Sequence, residues 1–226
     1  MAPTSPRSAL LFDLDGTLID SIELLLTSME HAFDGRERAP TRAQWTAGIG
    51  TPLRTQLSEW CEDDDVLEAI LSRYRDFQSL HLERLTSAYP GVLKFLQWAR
   101  DEGYALGLVT SKGRGMTDRS LQHVGLAASF DTIVTYEDTE RHKPGPEPVL
   151  LALERVGVAP RHAVYVGDSP HDMHSGRAAG TATAAALWGP FSREELEPAS
   201  PTWWLGSIDE LRDILKPFPA RSHPIG

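Results

Sequence analysis

Cysteine is nearly absent: Cys61 is the single one in 226 residues. One thiol excludes an intramolecular disulfide and leaves no cysteine cluster for zinc, and it suits a reducing cytoplasm, the expected compartment. Cys61 itself reads as a small, partly buried side chain. Long apolar runs are missing too. No stretch approaches the roughly 20 apolar residues that span a bilayer, which argues against a membrane partner. The first eight residues hold one arginine and no long apolar run follows, which argues against a signal peptide. Basic charge is in deficit, with 22 Lys and Arg against 32 Asp and Glu and a net charge of −10. Such a surface repels a nucleic-acid backbone, so nucleic acid is not an expected partner. An anionic small molecule stays compatible, provided that its site concentrates positive charge locally.

What is present is ordinary globular material, 41% hydrophobic and 24% charged. Ser8-Ala-Leu-Leu-Phe12 is a short apolar run that ends in the acidic turn Asp13-Leu-Asp-Gly-Thr17. From about residue 20 to residue 88 apolar residues recur at helical spacing, as in Ile22, Leu25, Leu26, Met29 and Phe33, then Val66, Ile70, Tyr74 and Phe77. This stretch reads as a helical insert. After Pro90-Gly91 the texture alternates. Helices are predicted at Val92 to Glu102, Thr117 to Val124, Glu147 to Val156, Asp172 to Ala179 and Ile208 to Leu215. Strands are predicted at Tyr104 to Val109, Thr132 to Val134, Ala163 to Val166, Thr181 to Leu187 and Trp203 to Leu205. That alternation implies an α/β fold with a parallel sheet covered on both faces. The expected domains are a discontinuous core, 1–20 plus 89–226, and an α-helical insert, 21–88. Pro217 to Gly226 is Pro-rich and is expected to be loosely held, and Trp203 and Trp204 are expected in the core.

Four segments place polar groups just after predicted parallel strands, whose carboxyl ends face one side of the sheet. In the first, Asp13 and Asp15 offer a nucleophile and a proton donor and acceptor, since a carboxylate can attack phosphorus and a second can serve the leaving oxygen. Gly16 permits the tight turn that brings N–H groups close to phosphate oxygens. Thr110-Ser111-Lys112 supplies hydroxyls and backbone amides for the same oxygens. Lys143 precedes Pro144, Pro146 and Pro148, so one ammonium is presented from a stiff loop and neutralises developing charge at little ordering cost. Asp168 and Asp172, spaced Gly-Asp-x-x-x-Asp, suit a hard cation such as Mg²⁺. Taken singly, each segment also reads as an ordinary turn or cap; their convergence is what points to chemistry. His171 and His174 read as helix-surface or supporting groups.

Together the segments resemble the haloacid dehalogenase-like phosphohydrolases, in particular their phosphoglycolate phosphatase-like group, over nearly the whole chain. Asp13-Leu-Asp-Gly-Thr-Leu18 resembles the first signature, Leu108-Val-Thr-Ser111 the second, Lys143 with the following Pro-x-Pro-Glu the third, and Val166-Gly-Asp-Ser-Pro-His-Asp172 the fourth. The resemblance implies a Rossmann-like core with a helical cap inserted after the first strand. It implies Asp13 as nucleophile, Asp15 as acid and base, and Thr110 on phosphate. Mg²⁺ would be held by the Asp13 carboxylate, the Asp15 backbone carbonyl and Asp168, with Asp172 supporting the metal site. Gly48-Ile-Gly-Thr-Pro-Leu-Arg54 resembles the cap segment that reads substrate, which makes Arg54 a candidate for an anionic group, while Ser111 stands where many relatives carry asparagine. The function implied is hydrolysis of a small phosphate ester. A sugar-phosphate mutase, an inorganic pyrophosphatase and a non-catalytic binding protein are the alternatives. Monomer and homodimer are both compatible with the sequence.

Overall fold

The computed structural model describes residues 8–215 and Phe218; the N-terminal segment and the Pro-rich tail, Phe218 apart, lie outside the described residues. β1 (Ala9–Phe12) leads through the acidic turn to β2 (Ile19–Asp20). Four helices follow: α1 (Ile22–Phe33), α2 (Arg42–Ala47), α3 (Leu53–Ser58) and α4 (Asp64–His81). β3 (Ser87–Ala88) then pairs antiparallel with β2, so the insert leaves and rejoins the core through a two-stranded neck. The remainder alternates through α5 (Val92–Glu102), β4 (Ala105–Val109), α6 (Arg114–His123), β5 (Thr132–Val134), α7 (Glu147–Val156) and β6 (Ala163–Gly167). It closes with α8 (Pro170–Ala179), β7 (Ala182–Ala186), α9 (Arg193–Leu196), β8 (Trp203–Leu205) and α10 (Leu211–Ile214). The six-stranded sheet has the order β5-β4-β1-β6-β7-β8, and every pair in it is parallel. This is the expected α/β architecture with a helical cap.

β1 is buried along its whole length because the sheet is covered on both faces. Leu10 and Phe12 face one side with Leu106, Leu108, Val164, Val166 and Phe95. Ala9 and Leu11 face the other with Ala105, Val109, Tyr165, Val149 and Leu153. The period of two thus runs continuously across β4, β1 and β6. Phe12 meets Phe95 edge-on at 6.2 Å, and removing such a ring from a closed core costs about 3–5 kcal/mol. Register aligns the strand ends: Phe12 pairs with Leu108 and with Val166. The residues that follow these three strands therefore emerge at one edge.

The insert has its own core. Leu26, Met29 and Phe33 of α1 pack on Leu67, Ile70, Leu71 and Tyr74 of α4, with Trp45 and Leu57 closing the ends. Ile22 and Leu25, on another face of α1, reach a separate cluster with Ile49, Met173 and Phe191. One helix thus belongs to the cap by one stripe and meets the core with another. The Asp63 side chain caps α4 by accepting from Val66 N–H at 2.9 Å, and Asp64 and Asp65 complement the dipole.

Three predicted helices differ from those observed. α6 begins at Arg114, three residues earlier than expected, because the Glu137 carboxylate accepts the Arg114 N–H at 2.8 Å. That cap comes from a distant segment and is invisible locally. α8 begins at Pro170, where Ser169 and Asp172 form a reciprocal capping box with proline at the first position. The predicted Ile208 to Leu215 helix is instead a 3₁₀ turn, Ile208–Glu210, followed by the single turn of α10. Trp203 and Trp204 sit half-buried at the margin of the core, Trp204 under the Arg193 guanidinium at 4.5 Å. No helix among the described residues is long and apolar enough to cross a membrane.

Candidate active site

Asp13 follows the central strand directly, its amide donating to the Val166 carbonyl at 2.9 Å, so the sheet fixes its backbone. The residue is 4% exposed. Lys143, 3% exposed, reaches it from the loop before α7. The Lys143 ammonium donates to Asp13 Oδ1 at 2.6 Å, to Asp172 Oδ1 at 2.7 Å and to the Val109 carbonyl at 3.2 Å. All three N–H donors of the ammonium are thereby used. Asp172 is in turn saturated. Its Oδ1 also accepts from Tyr165 Oη at 2.9 Å, and its Oδ2 accepts from Ser169 Oγ at 2.6 Å and Ser169 N–H at 3.1 Å.

Asp168 is different. Its Oδ1 accepts from Thr17 Oγ1 at 2.6 Å, but its Oδ2 is buried and accepts no hydrogen bond from any described residue. Backbone crowds it from two sides: a Cβ at Gly16 would lie 2.5 Å from Oδ2, and one at Gly189 would lie 2.4 Å from the Asp168 Cβ. Gly16 also has φ +89°, a conformation that favours glycine, so its place in the turn is set twice over. Oxygens of Asp13, Asp168 and Asp172 lie within 4.8 Å of one another. Three carboxylates and one ammonium in a dry space leave an excess of negative charge, which calls for a cation. The orphaned oxygen of Asp168 beside Asp13 fits an oxygen-seeking divalent ion such as Mg²⁺.

Electrostatics agree with this arrangement. Burial pushes the Asp13 carboxyl up to about 7, with Asp172 and Asp15 pushing the same way and Lys143 opposing. Burial also raises Asp168 well above its ordinary range, again helped by Asp13 and Asp172. Burial opposes ionisation of Asp172 too, but Lys143, Ser169 and Tyr165 outweigh it and hold that carboxyl below its ordinary range. Burial also opposes the charge on Lys143, and Asp13 and Asp172 overcome it, so the ammonium stays protonated.

Above this floor lies a cavity of about 760 Å³ between core and cap, with Asp13, Asp15, Thr110, Ser111, Lys112 and Arg54 among its lining. Asp15 stands apart from the carboxylate cluster, its Oδ1 accepting from Ser21 Oγ and from the Lys112 ammonium, each at 2.6 Å. Thr110 accepts from Lys112 N–H at 3.2 Å. Ser111 donates to the Gly50 carbonyl at 2.6 Å, a direct tie between core and cap. Arg54 lines the cavity but is already paired with Glu68, with Asp64 at 3.9 Å, and its side chain is 45% exposed. Sequence reasoning assigned no role to Ser21, Tyr165 or Ser169. Two signals were available: Ser169-Pro-His-Asp172 has capping-box spacing, and Tyr165 is a polar tip inside an otherwise apolar strand. Nothing local marked Ser21 as a partner of Asp15.

A doubly wound sheet with carboxylates at its carboxyl edge, roofed by a helical insert, defines a capped α/β enzyme. Residues 10–186 match the family described as haloacid dehalogenase-like hydrolase. The chain is 37% identical over 215 residues to pyrophosphatase PpaX of Bacillus velezensis, covering 92% of this chain and 95% of that one. It is 37% identical to pyrophosphatase PpaX of Bacillus pumilus, over 93% and 97% of the two chains. Its fold resembles a haloacid dehalogenase-like family protein of Streptococcus pneumoniae, with TM-score 0.80 and 22% identity over 93% and 99% of the two chains. The protein belongs to the haloacid dehalogenase-like hydrolase family, and it is a hydrolase of that family.

Proposed function

We propose that the protein is a Mg²⁺-dependent phosphatase of small phosphorylated metabolites, acting through an aspartyl-phosphate on Asp13. The observation that carries the reading is the Asp13 carboxylate at the cavity floor, held by Lys143 at 2.6 Å with Asp15 lining the same space. Lys143 holds Asp13 in one orientation, so attack needs little further ordering. In the first half-reaction a carboxylate oxygen of Asp13 bonds to phosphorus, the bond to the leaving oxygen breaks, and Asp15 gives that oxygen a proton. In the second, Asp15 takes a proton from water as the water oxygen attacks phosphorus. The Asp13–phosphorus bond then breaks and phosphate leaves. Thr110 and the Ser111 amide are suited to hold the phosphoryl oxygens.

Asp13, Asp168 and the Asp15 carbonyl would hold the Mg²⁺, which when bound offsets charge on the phosphoryl oxygens. Asp172 has no oxygen to spare, so its role in this reading is to position Lys143 and thereby support the metal site. The catalytic unit is 1–20 plus 89–226, and 21–88 is the cap that excludes water. Phosphoglycolate and small sugar phosphates are the first substrates of this class to test. Pyrophosphate is a second reading, favoured by the 37% identity to proteins named pyrophosphatase PpaX.

Phosphate release from this panel, with Mg²⁺, is measured for the wild type and Asp13→Asn side by side. The expected result is Mg²⁺-dependent release, abolished by EDTA and restored by excess Mg²⁺, and lower by at least about 10³-fold in Asp13→Asn. Full activity in that variant, or indifference to EDTA, would refute the reading.

A further inference from the structure

Two buried side chains on the cap take no part in the chemistry above. Gln56 of α3 and Gln78 of α4 both line the cavity, at 9% and 5% exposure. Among the described residues neither amide has a hydrogen-bond partner in the protein. Each amide offers two N–H donors and two acceptor lone pairs. Neither amide is among the fully buried unpaired polar atoms, so both open onto the cavity and take their hydrogen bonds from whatever fills it. The direction of Gln56 is also constrained. Its side chain lies flat on the backbone of Gly48, where a Cβ would come within 2.9 Å of Nε2 and 3.1 Å of Cδ.

The surroundings restrict what those amides read. Trp45, Tyr74 and Leu71 supply apolar walls beside them. Two cationic groups that line the cavity are already balanced: Arg54 by Glu68 and Asp64, and Lys112 by Asp15. Arg75 is exposed and lines the cavity together with the carboxylate of Asp76. An anionic leaving group would meet no buried, unbalanced cation on the cap. A hydroxyl-bearing group would meet donors and acceptors in equal number, with apolar faces for its C–H surface. A cavity of about 760 Å³ has room for such a group, within the ~300–1,000 Å³ usual for small-molecule sites.

We propose that Gln56 and Gln78 are the specificity-determining residues and that the leaving group they read is an uncharged polyol or sugar, making the substrate a polyol or sugar phosphate. The proposal rests on the phosphatase reading and narrows it.

Steady-state rates are compared for hexose 6-phosphates, hexitol phosphates, phosphoglycolate, pyrophosphate and phenyl phosphate, whose leaving group carries no hydrogen-bonding substituent. The expected kcat/KM for the best sugar or polyol phosphate exceeds that for pyrophosphate and phosphoglycolate by at least about tenfold. Gln56→Met and Gln78→Met, close in volume to the native side chains, lower that value mainly through KM. The loss is about tenfold larger than any loss on phenyl phosphate. Calorimetric titration of the Asp13→Asn protein with the same compounds reads recognition without turnover. Tighter binding of the sugar or polyol phosphate, weakened by adding either glutamine change, supports the proposal even where no phosphate is released and the phosphatase reading has failed. A preference for pyrophosphate or phosphoglycolate, or equal losses on phenyl phosphate, would overturn it.

Discussion

At and beneath the floor of the cavity, Asp13, Lys143, Asp168 and Asp172 are each at most 4% exposed, and charges are held by other buried charges. On its roof, Arg54 faces Glu68 with side chains 45% and 58% exposed, while the buried groups are the neutral amides of Gln56 and Gln78. Water screens the roof pairs, so each can be exchanged with little consequence. It does not screen the floor, where every ion depends on its neighbours. On the proposed reading the contrast separates two tasks, with the floor committed to one chemistry and the roof free to vary in what it recognises.

The comparison breaks most sharply at Lys143. Lys143→Met leaves the Asp13 and Asp172 carboxylates without their cation, and removing one partner of a buried pair costs about 3–5 kcal/mol. Denaturant unfolding should record that loss together with loss of turnover, whereas Arg54→Met should unfold like the wild type. Equal stability of the two variants would remove the distinction. Asp15→Asn comes next. Its fold should be intact by circular dichroism, with turnover lower by about 10²–10⁴-fold, since the proton carrier is lost together with the counter-charge of Lys112.

Asp168 sharpens the picture of the floor. Mg²⁺ should raise the thermal midpoint of the wild type, by an amount equivalent to about 2.7 kcal/mol at a hundredfold excess over Kd. Asp168→Asn should abolish that rise while being no less stable without metal, because the orphaned carboxylate is gone. A Mg²⁺ response that survives the substitution would contradict the assignment.

The smallest effect lies away from the cavity, at Asp138. Burial opposes its ionisation, but Arg155, Thr135 and Arg114 prevail and hold it at about 2, below the ordinary 3.8. A carboxyl depressed in the folded state contributes stability above pH 3.8 that is lost as pH falls towards 2. The stability difference between wild type and Asp138→Asn should therefore shrink across that window, measured by thermal unfolding at each pH. A constant difference would mean that Asp138 is not held ionised by its partners.

Much of this was legible in the order of residues. Asp13-Leu-Asp-Gly-Thr17 follows an apolar run, and an apolar run ending in carboxylates reads as a strand that delivers polar groups to an edge. The helical texture of the insert and the alternation after Pro90 follow from periods of 3.6 and 2, which a chain carries locally. The start of α6 was not legible, since Glu137, more than twenty residues away, caps it. Nor were the partners of Asp15, because Ser21 and Lys112 meet it only when the neck and the β4 edge converge.

The sequence by itself therefore determined the kind of fold, and it carried the patterns from which a helical insert and the candidate groups were read. These depend on short-range pattern and side-chain type. Tertiary structure decided which of four similar carboxylates is saturated and which is left open. Asp172 and Asp168 stand four residues apart in one motif, yet Tyr165, Ser169 and Lys143 fill the first, while Gly16 and Gly189 press backbone against the second and leave one of its oxygens without a donor. Burial and partners are properties of the folded space, and they assign different roles to chemically identical side chains.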